Sequence, residues 1–168
     1  RNYFAAVSRL GDGVAWYTLL AILPLVTAGS AILPSLHMAL TGLAGVGIYR
    51  FLKQRLVRER PFHSHRGVRA LVIPLDRYSF PSGHTLHAVS FTVMLAHYFP
   101  QSMWLVVPFA ASVAVSRVVL GLHYPTDVLA GAAWRMVFRF AVAGEVWLAL
   151  QFLGHPITLV EAIILESL

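Results

Sequence analysis

Two imidazoles, one carboxylate, three cations and a Ser-Gly pair stand where an otherwise apolar chain breaks. They are His84 and His123, Asp127, Lys53, Arg60 and Arg117, and the Ser82-Gly83 of Phe80-Pro81-Ser82-Gly83-His84. Arginine offers forked planar donors that match phosphate oxygens, and lysine offers a point charge. The Ser82 hydroxyl and the Gly83 N–H add donors at a helix N-terminus, where the dipole is positive. Gly83 also lets the backbone approach closely. Lys53, Arg60, Ser82, Gly83 and Arg117 together describe a phosphate socket. His123 and Asp127 lie four apart around Pro125, which can start a helix. An aspartate accepting from one ring nitrogen fixes the tautomer and leaves the other nitrogen free to attack. His84 is then left to protonate the leaving oxygen. Phosphoryl transfer depends mostly on positioning and charge stabilisation, which three cations supply.

The elements that must position these groups are membrane helices. The chain has 168 residues, 58% of them hydrophobic and 12% charged. A soluble domain carries roughly 25% charged residues, so a soluble enzyme is excluded. Gly13–Tyr49 and Tyr78–Ser116 contain no Asp, Glu, Lys or Arg. One crossing takes about 20 residues, so each run fits a hairpin of two helices. The pattern predicts a first helix over Val14–Thr27 with Pro24 as a kink, and a second over Ala31–Phe51. An Arg-rich loop follows over Gln54–Phe80. A third helix is expected over Ser82–Phe99, a fourth over Met103–Leu120, and a fifth from Thr126 through Trp134 into the 140s. Ile157–Leu168 is a short apolar tail, a truncated sixth helix or an interfacial one. The fold class is therefore all-α, an integral membrane bundle of five to six helices, forming one membrane-embedded domain over residues 1–168. Arg1–Gly13 carries no cleavable signal pattern. The chain opens on Arg rather than Met, so a helix preceding it is expected.

Hairpin topology places the end of the second helix, the start of the third, the end of the fourth and the start of the fifth on one membrane face. Those four places hold Lys53 and Arg60, Ser82 and His84, Arg117, and His123 and Asp127. Polar residues spread over some 75 positions thus meet at one rim. A scatter without function would put some of them on the opposite face.

The same residues carry a family resemblance. Lys53-Gln54-Arg55-Leu56-Val57-Arg58-Glu59-Arg60-Pro61 fits KxxxxxxRP, and Pro81-Ser82-Gly83-His84 fits PSGH. Ser116-Arg117 through His123 to Asp127 fits SRxxxxxHxxxD. The chain resembles the type 2 phosphatidic acid phosphatase (PAP2) superfamily of membrane lipid phosphatases, with motifs spanning residues 53–127. The resemblance implies His123 as the nucleophile of a phosphohistidine, Asp127 as its orienting partner, and His84 as general acid and then as base for water. It implies Lys53, Arg60, Ser82, Gly83 and Arg117 as phosphoryl ligands, with no metal and no cofactor. The family core is usually six helices, and the five counted here fit one lost before residue 1. The implied substrate is a phosphate monoester or pyrophosphate on a lipid, of the undecaprenyl pyrophosphate, phosphatidylglycerophosphate or phosphatidic acid type. It would enter sideways from the bilayer.

Other residues read more plainly. His84 and His87 lie one turn apart, but a zinc site wants further ligands nearby, so His87 reads as a packing residue. His37 and His97 read as hydrogen-bonded helix residues, and His63 and His65 as loop residues. Eight of the 13 Lys and Arg lie in Arg50–Arg77. Apart from Lys53 and Arg60, these read as contacts to anionic lipid or as topology control. The expected partners are membrane lipids and the lipid substrate, not nucleic acid. Trp16, Trp104, Trp134 and Trp147 suit interfacial belts, and Gly42, Gly45 and Gly131 suit close helix packing. Arg135 and Arg139 have no functional reading. Two rival functions share these features: a lipid phosphotransferase with the same site, and a non-catalytic membrane protein whose basic loop binds anionic lipid. The expected location is a bacterial inner membrane with the site facing the periplasm, although 11 of 13 Lys and Arg would then lie on the outer side, against the positive-inside rule.

Overall fold

A computed structural model describes residues 2–134, 150–151, 154 and 157–167. These fall into two compact units, Arg1–Ala132 and Ala133–Leu168. The first begins with α1 (Asn2–Arg9), a π-helical turn (Leu10–Val14) and α2 (Ala15–Val26). Gly13 has φ +128° within the turn, a conformation open to glycine alone, so the helix bends where Asp12 projects. This first helix starts well before the Val14 expected from composition. The short amphipathic segment Asn2–Arg9 extends it at its start, and α1 lies along α6 (Met103–Val119).

Next, α3 (Ile32–Leu56) begins with Pro34 in its first turn, where proline is tolerated, and ends five residues later than expected. Its 25 residues rise about 37 Å, enough to cross a hydrocarbon core and emerge. Val57 then takes a left-handed conformation (φ +42°), which a β-branched residue rarely adopts, and turns the chain sharply. A short α4 (Pro61–Ser64) follows with Pro61 at its first position. The segment 65–82 has no regular structure but is fastened at several points. The Leu71 N–H donates to the Leu120 carbonyl (3.2 Å) and the Ser79 N–H to the Arg58 carbonyl (2.9 Å).

Then come α5 (Gly83–Tyr98), a 3-10 turn (Pro100–Ser102), α6, and a helix over 125–134, here α7. The Asp127 carboxylate accepts from the Tyr124 N–H (2.8 Å), so Asp127 reaches back to cap the start of α7. Three stretches of the described residues are long and apolar enough to cross a membrane: Asn2–Val26, Ile32–Ser64 and Pro100–Val119. Exposed Leu25, Leu33, Trp104 and Leu105 give the surface an apolar belt. The core lies among α2, α3, α5 and α6, around Met38, Phe91, Met94 and Val113. Trp16 sits there, 2% exposed, with its ring 5.1 Å from Phe91 and 5.4 Å from Phe109. It is a core residue rather than a belt residue, whereas Trp104 is 91% exposed.

The second unit contains α8 (Leu159–Ser167), capped reciprocally by Thr158 and Glu161: the Glu161 N–H donates to Thr158 Oγ1 (3.2 Å) and the Thr158 N–H to Glu161 Oε2 (2.6 Å). The continuation of the fifth helix into the 140s, Arg135, Arg139, Trp147 and the break at His155-Pro156 lie outside the described residues.

Candidate active site

Each sequence-predicted residue stands at a helix end or in the turn beside one. Lys53 occupies the last turn of α3, and Arg60 sits at the N-cap position of α4 in extended conformation. Ser82 caps α5, with Gly83 and His84 in its first turn. Arg117 ends α6, His123 follows in the turn, and Asp127 opens α7. The starts of α5 and α7 are joined directly, because the Ser82 N–H donates to the Asp127 carbonyl (3.0 Å). Gly131 makes this junction possible: a Cβ there would lie 2.6 Å from the Ser82 carbonyl oxygen.

Arg60 links the parts. Its Nη1 donates to the Leu122 carbonyl (2.8 Å) and faces His123 Nε2 at 3.3 Å. Arginine has no acceptor, so Nε2 carries the lone pair and the ring proton of neutral His123 sits on Nδ1. Nδ1 stands 3.6 Å from Asp127 Oδ2, longer than a hydrogen bond, and has no other partner. Burial pushes the His123 imidazole down to about 4. The charges of Arg60, Arg117 and Lys53 push the same way against the pull of Asp127. His123 is therefore neutral at physiological pH.

Arg60 also reaches a carboxylate the sequence reading passed over. Its Nη2 donates to Asp76 Oδ1 (2.7 Å) and its Nε to the Asp76 carbonyl (3.0 Å). Lys53 Nζ donates to both Asp76 oxygens (2.8 Å each) and to the Tyr78 carbonyl (2.9 Å). Burial works against the Asp76 carboxylate, but the hydrogen bond and charge of Lys53, with Arg60, outweigh it and hold its pKa below the usual value.

Two further residues were missed. Asp12, at the helix bend, pairs with His84 Nε2. Arg58, read from sequence as a lipid contact, donates to Asp127 Oδ1 (2.7 Å) and Thr126 Oγ1 (2.8 Å), with its guanidinium 4.2 Å from the Tyr124 ring. It thus holds the Asp127 carboxylate by Oδ1, opposite the oxygen, Oδ2, that accepts from the Tyr124 N–H. The signal for Asp12 was present: the same hairpin rule puts the start of the first helix at the rim where Lys53, His84 and His123 are expected. Nothing in the pattern around Arg58 or Asp76 marks them out.

The remaining predicted residues fall near by. Ser82 Oγ accepts from the Thr85 N–H (3.5 Å), which caps its own helix, and from the Thr85 hydroxyl (3.0 Å). Arg117 is buried and donates from Nη1 to Ser8 Oγ, while its Nε lacks a partner. A cavity of about 440 Å³ opens beside the cluster, lined by Asp12, Tyr49, Lys53, Asp76, Gly83 and His84 among others. His87 also borders it, and its ring nitrogens face the Gly83 carbonyl (2.9 Å) and the Gly42 carbonyl (3.2 Å). That is a helix-packing role between α3 and α5. His37 meets the Tyr98 hydroxyl (2.8 Å), likewise between helices.

A sequence profile described as the PAP2 superfamily matches residues 31–149 of this chain. The chain belongs to the PAP2 superfamily. It is similar to the undecaprenyl-diphosphatase BcrC of Bacillus subtilis, 30% identical over 129 residues, covering 77% of this chain and 66% of that protein. It is also similar to a lipid A 1-phosphatase of Rhizobium johnstonii, 33% identical over 96 residues, covering 55% of this chain and 39% of that protein. Among solved structures it resembles a transmembrane PAP2 type phosphatidylglycerolphosphate phosphatase from Bacillus subtilis. The TM-score is 0.65 at 25% identity, over 78% of this chain and 68% of that one. The chain thus spans between about two fifths and two thirds of the length of these curated relatives. The PAP2 profile begins at residue 31, so Asp12 and the helix that carries it lie outside the matched region.

Proposed function

We propose that this PAP2 member is an integral membrane lipid phosphatase, hydrolysing a phosphate monoester or pyrophosphate on a lipid through a phosphohistidine. One observation carries the reading. The unprotonated Nε2 of buried His123 lies against Arg60, whose other arm reaches an anion seat shared with Lys53. A phosphoryl group in that seat would be held next to a nitrogen lone pair. His123 Nε2 attacks phosphorus, the bond to the lipid oxygen breaks, and His84 delivers a proton to that oxygen. As the imidazole becomes cationic, Asp127 stabilises it at Nδ1. Water then attacks the phosphohistidine, His84 takes its proton, and inorganic phosphate leaves. Lys53, Arg60, Arg117, Ser82 and the Gly83 N–H stabilise the phosphoryl oxygens, so the chemistry needs no metal. The relatives' names point to polyprenyl, lipid A and glycerophosphate lipids as the substrate range.

The test is phosphate release from a panel of lipid phosphates and pyrophosphates by the detergent-solubilised protein with EDTA present, beside His123→Ala. Release by wild type alone supports the reading. Equal release by both, or none by a folded wild type, would sink it. The site is proposed to face the periplasm of a bacterial inner membrane. Ser64 is exposed on α4 at the catalytic rim of a chain that has no cysteine. Ser64→Cys should therefore react with an impermeant thiol reagent on intact cells, and reaction only after lysis would reverse the orientation.

A further inference from the structure

The socket that would receive phosphate already holds an anion of the protein's own. Asp76 bridges both Lys53 and Arg60 through its carboxylate and is 37% exposed, whereas Lys53 and Arg60 are 7% and 1% exposed. The carboxylate thus covers two buried cations from the solvent side. The backbone of the irregular segment 65–82 is fastened there, with the Asp76 carbonyl accepting from Arg60 Nε (3.0 Å), so what must move is the half-exposed side chain alone. The cavity that would admit a substrate is lined by Asp76 and Lys53 together.

A phosphate oxygen pair and a carboxylate oxygen pair have similar reach and both suit a forked guanidinium. They cannot occupy the same donors at once. We propose that Asp76 is a built-in competitor for the phosphoryl socket, a residue that sets its apparent affinity because every phosphate-bearing ligand must displace its carboxylate from Lys53 and Arg60. This rests on the phosphatase reading of the same socket.

A membrane enzyme meets phosphodiester headgroups in great excess over any phosphomonoester or pyrophosphate. A diester carries one negative charge, as Asp76 does, so the exchange gains no charge interaction. A monoester carries about 1.5 to 2 charges at neutral pH and gains from the exchange. Asp76 lowers the apparent affinity for both by the fraction of time it leaves the socket open. The weak diester then no longer saturates the socket, while the ratio of the two affinities stays as Lys53 and Arg60 set it. Released phosphate is weakened in the same way, which favours its departure.

Competition of this kind has a signature: removing the competitor tightens all anions by one common factor. The test measures binding of inorganic phosphate and of dimethyl phosphate, a singly charged diester, to wild type, Asp76→Asn and Asp76→Glu in detergent. Thermal shift and equilibrium titration both report it. Asp76→Asn should tighten both anions by the same factor, about 10- to 100-fold, the worth of a hydrogen bond to a charged group. Phosphatidylglycerol in mixed micelles should become an inhibitor of that variant, while Asp76→Glu stays near wild type. Loss of Asp76 strips two buried cations of their partner, so Asp76→Asn should be less stable, and added phosphate should restore it. Unchanged or weaker anion binding in Asp76→Asn would overturn the proposal, because it would make Asp76 a support for the two cations. So would a variant that stays unfolded in saturating phosphate. Binding is read independently of turnover. A wild type without phosphatase activity would overturn the functional reading, while the anion titrations would still decide the role of Asp76.

Discussion

The protonation state of His123 is the quantity on which the proposed chemistry turns. A solvated imidazole titrates near 6.5, whereas burial and three facing cations hold this one near 4. At pH 5 about 90% of His123 should be neutral, against about 3% of an ordinary histidine. The direct assay follows the Cε1–H resonances of the eight histidines from pH 7.5 to 3.5 in protein labelled at that carbon. His123 is assigned by the signal that His123→Ala loses. This avoids the rate profile, in which the substrate's own second ionisation near 6 would intervene. The expected midpoint is about 4. Arg60→Gln removes the nearest positive charge and should raise the midpoint by about one unit. The same shift acts on stability. His123 has a folded-state pKa below its unfolded one, so its contribution is complete above pH 6.5 and is lost as pH falls towards 4. The loss amounts to about 3 kcal/mol. A midpoint at or above 6.5 would refute the reasoning, because Asp127 would then outweigh burial and the cations together.

Three further outcomes are expected. Asp127→Asn keeps the capping shape but removes the charge that steadies the cationic ring. It should lower kcat by about 10²- to 10⁴-fold with little change in KM in protein whose thermal stability matches wild type, and an unchanged kcat would remove Asp127 from the mechanism. Arg58→Gln frees one oxygen of Asp127. Because Arg58 is 39% exposed, solvent screening limits its worth to about 1 kcal/mol, or about fivefold in kcat. No change in kcat would return Arg58 to a lipid-contact role. Gly131→Ala brings a Cβ against the Ser82 carbonyl at 2.6 Å, so α7 must move away from the start of α5. That should destabilise the protein by about 1–3 kcal/mol and reduce turnover, whereas Gly47→Ala, which meets open space, should do neither.

Residues placed by periodicity and topology were legible in the sequence, and residues placed by loop conformation were not. Lys53, Arg60, Ser82, Arg117, His123 and Asp127 all sit at helix ends, and hairpin connectivity alone assigns those ends to one membrane face. The structure joins several of them through Arg60–His123 and Ser82–Asp127. Asp76 lies in a segment with no repeat of apolar positions, among Arg66, Arg69 and Arg77, where a carboxylate reads as simple charge balance. Its place depends on tertiary fastening at Leu71 and Ser79, which no local pattern encodes. Trp16 shows another limit. Interfacial and core tryptophans look alike in an apolar run, and only packing against Phe91 and Phe109 separates Trp16 from Trp104.

The charges at the rim link binding to reactivity. Burial, together with the charges of Arg60, Arg117 and Lys53, depresses the basicity of His123 in the ligand-free protein, which keeps Nε2 unprotonated at neutral pH but makes it a weaker nucleophile. In the proposed reaction, a phosphoryl group carrying up to two charges replaces the single charge of Asp76 on Lys53 and Arg60. The extra negative charge offsets the cations that act on His123. The imidazole should therefore gain basicity at the moment a phosphorus atom lies beside it, and Asp127, already held by Arg58 and the Tyr124 N–H, is placed to steady the positive charge that attack creates. A singly charged diester would bring no such gain over Asp76. The same exchange that opens the socket would then favour attack on the more highly charged phosphate.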